Sequence, residues 1–335
     1  SCAAGTYCSI GSTAETACST GTYNAQVGQG SCTKCSAGTY QPGPGATGCQ
    51  PCNTAGGYCT VGASAVTLCP AGRYSGSGGI SALSGCAQCP VGSYCRTGST
   101  AAARCSTGTY ADQQGQGACT ACDAGRFQKG TGSSECVECT AGGYCPQGAS
   151  AVTLCPAGRY SGAAGLSALS GCASCDAGTY CSIGSTAETA CSTGTYNAQV
   201  GQASCTKCSA GTYQPGPGAT GCEQCNTAGG YCTEGASAVT LCPAGRYSGS
   251  GGISALSGCA QCPVGSYCRT GSTSAALCST GTYADQQGQG ACSACDAGRF
   301  QTGTGSSECV ECTAGGYCPQ GASAVTLCPA GRYSG

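Results

Sequence analysis

The sequence predicts a set of small disulfide-rich tandem repeats, built from short β-hairpins and irregular loops with almost no helix and drawn out as an elongated rod. Three observations predict it. Of 335 residues, 39 are Cys and 61 are Gly. Large apolar residues are scarce: four Ile, nine Leu, eleven Val and two Phe, with no Met and no Trp. The chain also repeats itself at three nested lengths.

Cysteine at this density marks a disulfide scaffold, and such scaffolds form and persist in secreted or cell-surface compartments. With so few large apolar side chains, no single large core is available, so cross-links have to replace burial. A chain this poor in apolar residues could instead be disordered, but disorder usually comes with high net charge, and here the net charge is −1. Three Lys and nine Arg are scattered along the sequence, which leaves nucleic-acid binding without an electrostatic basis. No segment approaches the roughly 18 consecutive apolar residues of a membrane span. The opening Ser1-Cys2-Ala3-Ala4-Gly5 reads neither as a signal peptide nor as an initiator start. The expectation is a segment that begins inside a longer protein.

Repetition is the strongest signal. Shifted by 173 residues, the chain overlays itself: Cys2 falls on Cys175, Cys69 on Cys242 and Cys155 on Cys328. Over 162 overlapping positions there are nine differences, among them Ala3/Asp176, Val61/Glu234, Arg104/Leu277 and Lys129/Thr302. Each unit is two halves of ten Cys, with successive gaps of 5, 9, 13, 2, 13, 2, 6 or 5, 9, 16 and 2 residues. The expected organisation is unit 1 at 1–173, with halves 1–87 and 88–173, and unit 2 at 174–335, with halves 174–260 and 261–335. The counterpart of Cys172 would fall beyond Gly335, so the odd cysteine total reads as a window on a longer array, not as a reactive thiol.

Within each half lies a smaller motif, C-x2-G-x-[YF], with variants carrying one insertion or none. Its aromatics are Tyr7, Tyr23, Tyr40, Tyr58, Tyr74, Tyr94, Tyr110, Phe127, Tyr144 and Tyr160 in the first unit, and no aromatic is spent elsewhere. The Gly suits a turn or a close backbone approach. The aromatic can lie against a disulfide as a very small core, or alternatively present a ring for sugar stacking. Segments such as Thr39-Tyr40-Gln41 and Gly72-Arg73-Tyr74 suit brief strands, separated by Gly/Pro/Ser turns such as 41–45 and 75–79.

Site chemistry finds little to stand on. Cys32, Cys35, Cys49 and Cys52 have the spacing of a four-Cys zinc site. Six regularly spaced Cys of the same half would be left over, however, and the chain has no His. No metal or other cofactor is expected. Without His there is no Ser-His or Cys-His pair, so no catalytic residue is expected. Glu135 with Glu138, and Glu308 with Glu311, are close carboxylates that flank Cys136 and Cys309 and read as solvated pairs. The Gly-rich stretch 76–79 lacks the Lys and helix of a phosphate cradle. No Asn stands in an N-x-[ST] context. O-linked sugars on Ser, Thr or hydroxylated Pro are the expected modification, with Pro42 and Pro44 as candidates.

The stretch Cys18-x2-Gly-x-Tyr23-x8-Cys32-x2-Cys35 resembles the cysteine-rich repeats of the ephrin-receptor-like type. It is also similar to the first module of tumour necrosis factor receptor cysteine-rich domains. The form Cys89-Pro-Val-Gly-Ser-Tyr-Cys95 followed by Cys105 resembles arrays found in large surface proteins of protists and algae. The resemblance implies that the two Cys of a C-x13-C hairpin pair with each other. That gives Cys18–Cys32, Cys35–Cys49 and, by extension, Cys69–Cys86, leaving Cys2–Cys8 and Cys52–Cys59. The second half then pairs Cys89–Cys95, Cys105–Cys119, Cys122–Cys136, Cys139–Cys145 and Cys155–Cys172, with equivalents from Cys175 onward. An interlaced alternative stays open: Cys2–Cys18, Cys8–Cys32, Cys52–Cys69 and Cys59–Cys86, with Cys35–Cys49 kept. Such modules occur in receptors, matrix proteins and filaments alike. Near-identity of successive units favours a homopolymeric, mastigoneme-like extracellular filament or surface appendage. The alternatives are a stalk for a receptor or adhesin and a glycan-binding matrix protein.

Overall fold

The local rule of the fold is a turn. Thr22 N–H donates to Ser19 O at 3.1 Å, and Gly21 between them has φ +78°. A closed four-residue turn with positive φ at its third position is a type II turn, which calls for Gly there. The Thr22 hydroxyl donates to the same Ser19 carbonyl at 2.7 Å and tightens the turn. Out of the turn comes a two-residue strand, Thr22–Tyr23, paired antiparallel with Thr33–Lys34. Cys35 N–H then reaches back to Gly21 O at 2.9 Å and closes the ladder.

The structure, a computed structural model, describes residues 1–332. Among them the unit recurs as 19 two-stranded antiparallel sheets, each pairing consecutive strands, from Thr6–Tyr7 with Thr16–Ala17 to Gly316–Tyr317 with Thr326–Leu327. The only helical elements among the described residues are three single 3-10 turns, Leu83–Gly85, Leu169–Gly171 and Leu256–Gly258, each in a 16-residue inter-cysteine loop. The fold is thus a run of small disulfide-rich hairpin repeats.

Hairpins come in two forms, set by the residue after the aromatic. Where it is Cys, that Cys bonds to the one before the turn, as in Cys2–Cys8, Cys52–Cys59, Cys89–Cys95 and Cys139–Cys145. Where it is Asn, Gln, Ser or Ala, the bridge spans the whole loop to the foot of the second strand. These are Cys18–Cys32, Cys35–Cys49, Cys69–Cys86, Cys105–Cys119, Cys122–Cys136 and Cys155–Cys172. The same order resumes at Cys175–Cys181 and runs to Cys312–Cys318. Cα–Cα distances across the bridges are 5.7–6.2 Å, within the normal range for disulfides. Cys328 has no partner among the described residues.

The buried interior is sulfur. Among the described residues, every buried apolar residue apart from Ala111, Ala284 and Ala322 is Cys, most of them wholly inaccessible. No Val, Leu, Ile or Phe is buried among the described residues, and Ile10, Val27 and Leu68 are exposed. The motif aromatics are mostly half-buried. Burial therefore follows the cross-links, as expected of modules too small for an apolar core.

By contacts the chain forms two units, Ser1–Cys155 with Ser161–Cys172, and Pro156–Tyr160 with Ala173–Gly335. Among the described residues, no helix is long and apolar enough to cross a membrane.

Candidate functional site

The site this chain builds is the junction between hairpins, because that is where the same chemistry recurs. In the first unit the motif Gly donates its N–H to the carbonyl just after the next aromatic. The bonds run Gly5 to Asn24, Gly21 to Gln41, Gly38 to Cys59 and so on to Gly142 with Ser161, all at 2.7–2.9 Å. In the second unit they run from Gly158 with Cys181 to Gly298 with Cys318, in the same range. The acceptor position is the one that decides hairpin form, so both forms present the same carbonyl to their neighbour.

A second glycine completes the junction. Each hairpin loop holds one, such as Gly28, Gly45 or Gly62, with φ near +73°. Its N–H donates to the carbonyl of a bridge Cys at the start of the preceding hairpin: Gly28 to Cys2 at 2.9 Å, Gly45 to Cys18 and Gly62 to Cys35 at 2.8 Å. A Cβ on Gly21 would overlap the carbonyl of Gly62, two hairpins further on. The motif Gly is therefore required twice, by its left-handed backbone and by a backbone packed against it.

Side chains lock the remaining backbone groups. Asn24, only 3 % exposed, donates its Nδ2 to Thr6 O at 2.9 Å in the preceding hairpin. Gln41 donates to Gly48 O at 2.6 Å and accepts from Gly43 N–H at 3.2 Å, which folds the loop holding Pro42 and Pro44 and leaves both prolines exposed. Arg73, Arg126 and Arg246 donate to the carbonyls of the bridge residues Cys86, Cys136 and Cys259 at 2.8–3.1 Å. Arg96 lies over the Tyr94 ring at 5.7 Å, a cation–π distance.

The residues singled out for other chemistry are dispersed. Cys32, Cys35, Cys49 and Cys52, spaced like zinc ligands, are divided among three separate bridges. Glu135 borders a recess of about 310 Å³ with Tyr110, Asp112, Asp123 and Arg126, whereas Glu138 reaches Gly165. Its counterpart, of about 280 Å³, is lined by Tyr283, Asp285, Asp296, Arg299 and Glu308. Glu311 lies 3.5 Å from Arg299, an exposed pair. Glu223, where the first copy has Gln50, hydrogen-bonds Tyr213. That bond first, and the carboxylate's charge second, raise the pKa of the phenol.

The loop glycines and the mostly buried residue after the aromatic left no mark in the motif as read. The signal for the first was present: a Gly stands four residues after the aromatic in the short hairpins, as Tyr58 to Gly62, and five after it in the long ones, as Tyr23 to Gly28.

Hairpin, bridge and junction together define a tandem cysteine-rich repeat protein. Within it, residues 178–225 match the family described as tyrosine-protein kinase ephrin type A/B receptor-like. That stretch recurs at residues 5–52 with three differences, Gly30/Ala203, Gln50/Glu223 and Pro51/Gln224. A comparison with curated proteins finds no match. The bridges and the ephrin-receptor-like stretch are features of an extracellular or surface protein with a receptor-like or structural role. Fold and match both resemble those of non-enzymatic repeat proteins.

Proposed function

We propose that the chain is a non-catalytic structural subunit of an extracellular filament or surface appendage, self-associating into a homopolymer. One observation carries this reading. None of the nine differences between the repeat copies touches a Cys, an aromatic, a motif Gly, a loop Gly or the residue after an aromatic. All parts that set the step from hairpin to hairpin are therefore held constant. Identical steps repeat the same neighbour contacts along the chain, as in other repeat proteins, and the 173-residue period is the proposed structural unit. A receptor module that holds one ligand would vary its loops from copy to copy, and these loops stay alike.

The bridge pairing of the structure is taken as the native connectivity. The exposed turn at Pro42 and Pro44 is the proposed carrier of O-linked sugar, which intact mass before and after chemical deglycosylation tests. A second reading, a stalk of a receptor or adhesin, draws its support from the ephrin-receptor-like match. Electron microscopy of native material decides between them. Uniform filaments with an axial repeat set by the 173-residue unit or its half support the filament, and isolated flexible monomers overturn it.

A further inference from the structure

Among the nine differences between the repeat copies, five change charge: Ala3/Asp176, Gln50/Glu223, Val61/Glu234, Arg104/Leu277 and Lys129/Thr302. Every one makes the second copy more negative by one. Residues 1–162 carry seven Lys and Arg against five Asp and Glu, net +2. Residues 174–335 carry five against eight, net −3. Both members of all five pairs are exposed, although Glu223 also bonds Tyr213 within its own hairpin. Glu234 lies 3.9 Å from Lys207, with both side chains 69 % exposed, too open to be a fold-stabilising pair. In the first copy Val61 takes that place, and Lys34 keeps its charge.

The rest of the surface is shared. Ile10 and Ile183, Val27 and Val200, and Leu68 and Leu241 are exposed at equivalent positions. Apolar contact at these shared positions would not distinguish one repeat copy from the other, whereas charge does. Like against like sets +2 on +2 and −3 on −3, and unlike against unlike sets +2 on −3. Charge complementarity of this kind fixes register and partner choice more than it adds raw affinity.

We propose that the partner of each repeat copy is the other repeat copy of a second chain. The copy carrying Arg104 and Lys129 meets the copy carrying Asp176, Glu223 and Glu234. This rests on the self-association in the proposed function and adds its register. Apolar contacts repeat along the chain, and charge selects which repeat faces which. Because exposed charges are screened beyond about 8 Å at physiological salt, the selection acts at contact and weakens as salt rises.

The test uses the full chain in four forms, with sedimentation velocity at low and high salt as the readout. The first is unaltered. The second, D176A/E223Q/E234V/L277R/T302K, gives both copies the first copy's charges. The third, A3D/Q50E/V61E/R104L/K129T, gives both the second copy's. The fourth carries all ten changes and exchanges the charges. Every substituted residue already stands at the equivalent position of the other copy, so the hairpins accommodate it. The two uniform forms are expected to associate about tenfold more weakly or worse. The exchanged form recovers to within about twofold of the unaltered chain, and salt weakens both. A uniform form that associates like the unaltered chain overturns the proposal and leaves the filament reading standing. An exchanged form that fails to recover also overturns the register. An unaltered chain that stays monomeric overturns both.

Discussion

Gly21 shows how much one position carries. Its φ of +78° is hostile to side chains, and a Cβ would meet the Gly62 carbonyl. Gly21→Ala is expected to destabilise by roughly 2 kcal/mol or more, read as a shift in a denaturant midpoint. Ala at Gly43, where nothing lies within 4 Å of a Cβ and φ is not left-handed, serves as the mild control. Tyr213 makes a second residue-scale prediction. Its pKa is raised by Glu223, so the phenol holds its proton to higher pH in the folded chain than in the unfolded one. The linked stability is present below the unfolded pKa and is lost as pH rises through the folded one. E223Q is expected to lower the Tyr213 midpoint in an ultraviolet titration, and an unchanged midpoint contradicts the account.

At the scale of the element, the hairpin has no apolar interior to fall back on. Removing one bridge as the pair C18A/C32A is expected to cost about 2–4 kcal/mol, the usual worth of a native disulfide. Amide exchange would then rise first at Gly28, Cys35 and Gly45, whose N–H groups are held by residues of or beside that hairpin. Much of the hairpin was legible in the sequence. C-x2-G-x-[YF] spells out a Gly turn, a two-residue strand and a flanking Cys. The Asn24 bond to Thr6 was not legible, because Asn, Gln, Ser and Ala all occupy the position after the aromatic and no single residue type flags it. The junction bonds were hidden for a related reason. They join backbone to backbone, and only the glycines that permit the approach leave a mark in the sequence.

At the scale of the molecule, repetition turned a weak signal into a strong one. A single Cys18-x2-Gly-x-Tyr23 stretch says little, whereas its recurrence beside every aromatic fixes the class of fold. Function was less legible, since a repeat that holds itself together by backbone bonds and sulfur leaves no catalytic residues to read. The side chains free to vary are on the surface, and there the two copies differ mainly in charge.

The central claim is that each bridge closes within one hairpin while neighbouring hairpins are joined by hydrogen bonds and not by sulfur. Peptide mapping under non-reducing conditions tests it most directly, with cleavage beside the motif tyrosines and after Glu15 and Lys34, so that Cys2, Cys8, Cys18 and Cys32 fall on separate fragments, and mass spectrometry of the linked fragments. The account predicts Cys2–Cys8 and Cys18–Cys32 as separate linked pairs, and their equivalents along the chain. Fragments joining Cys2 to Cys18 and Cys8 to Cys32 would contradict it.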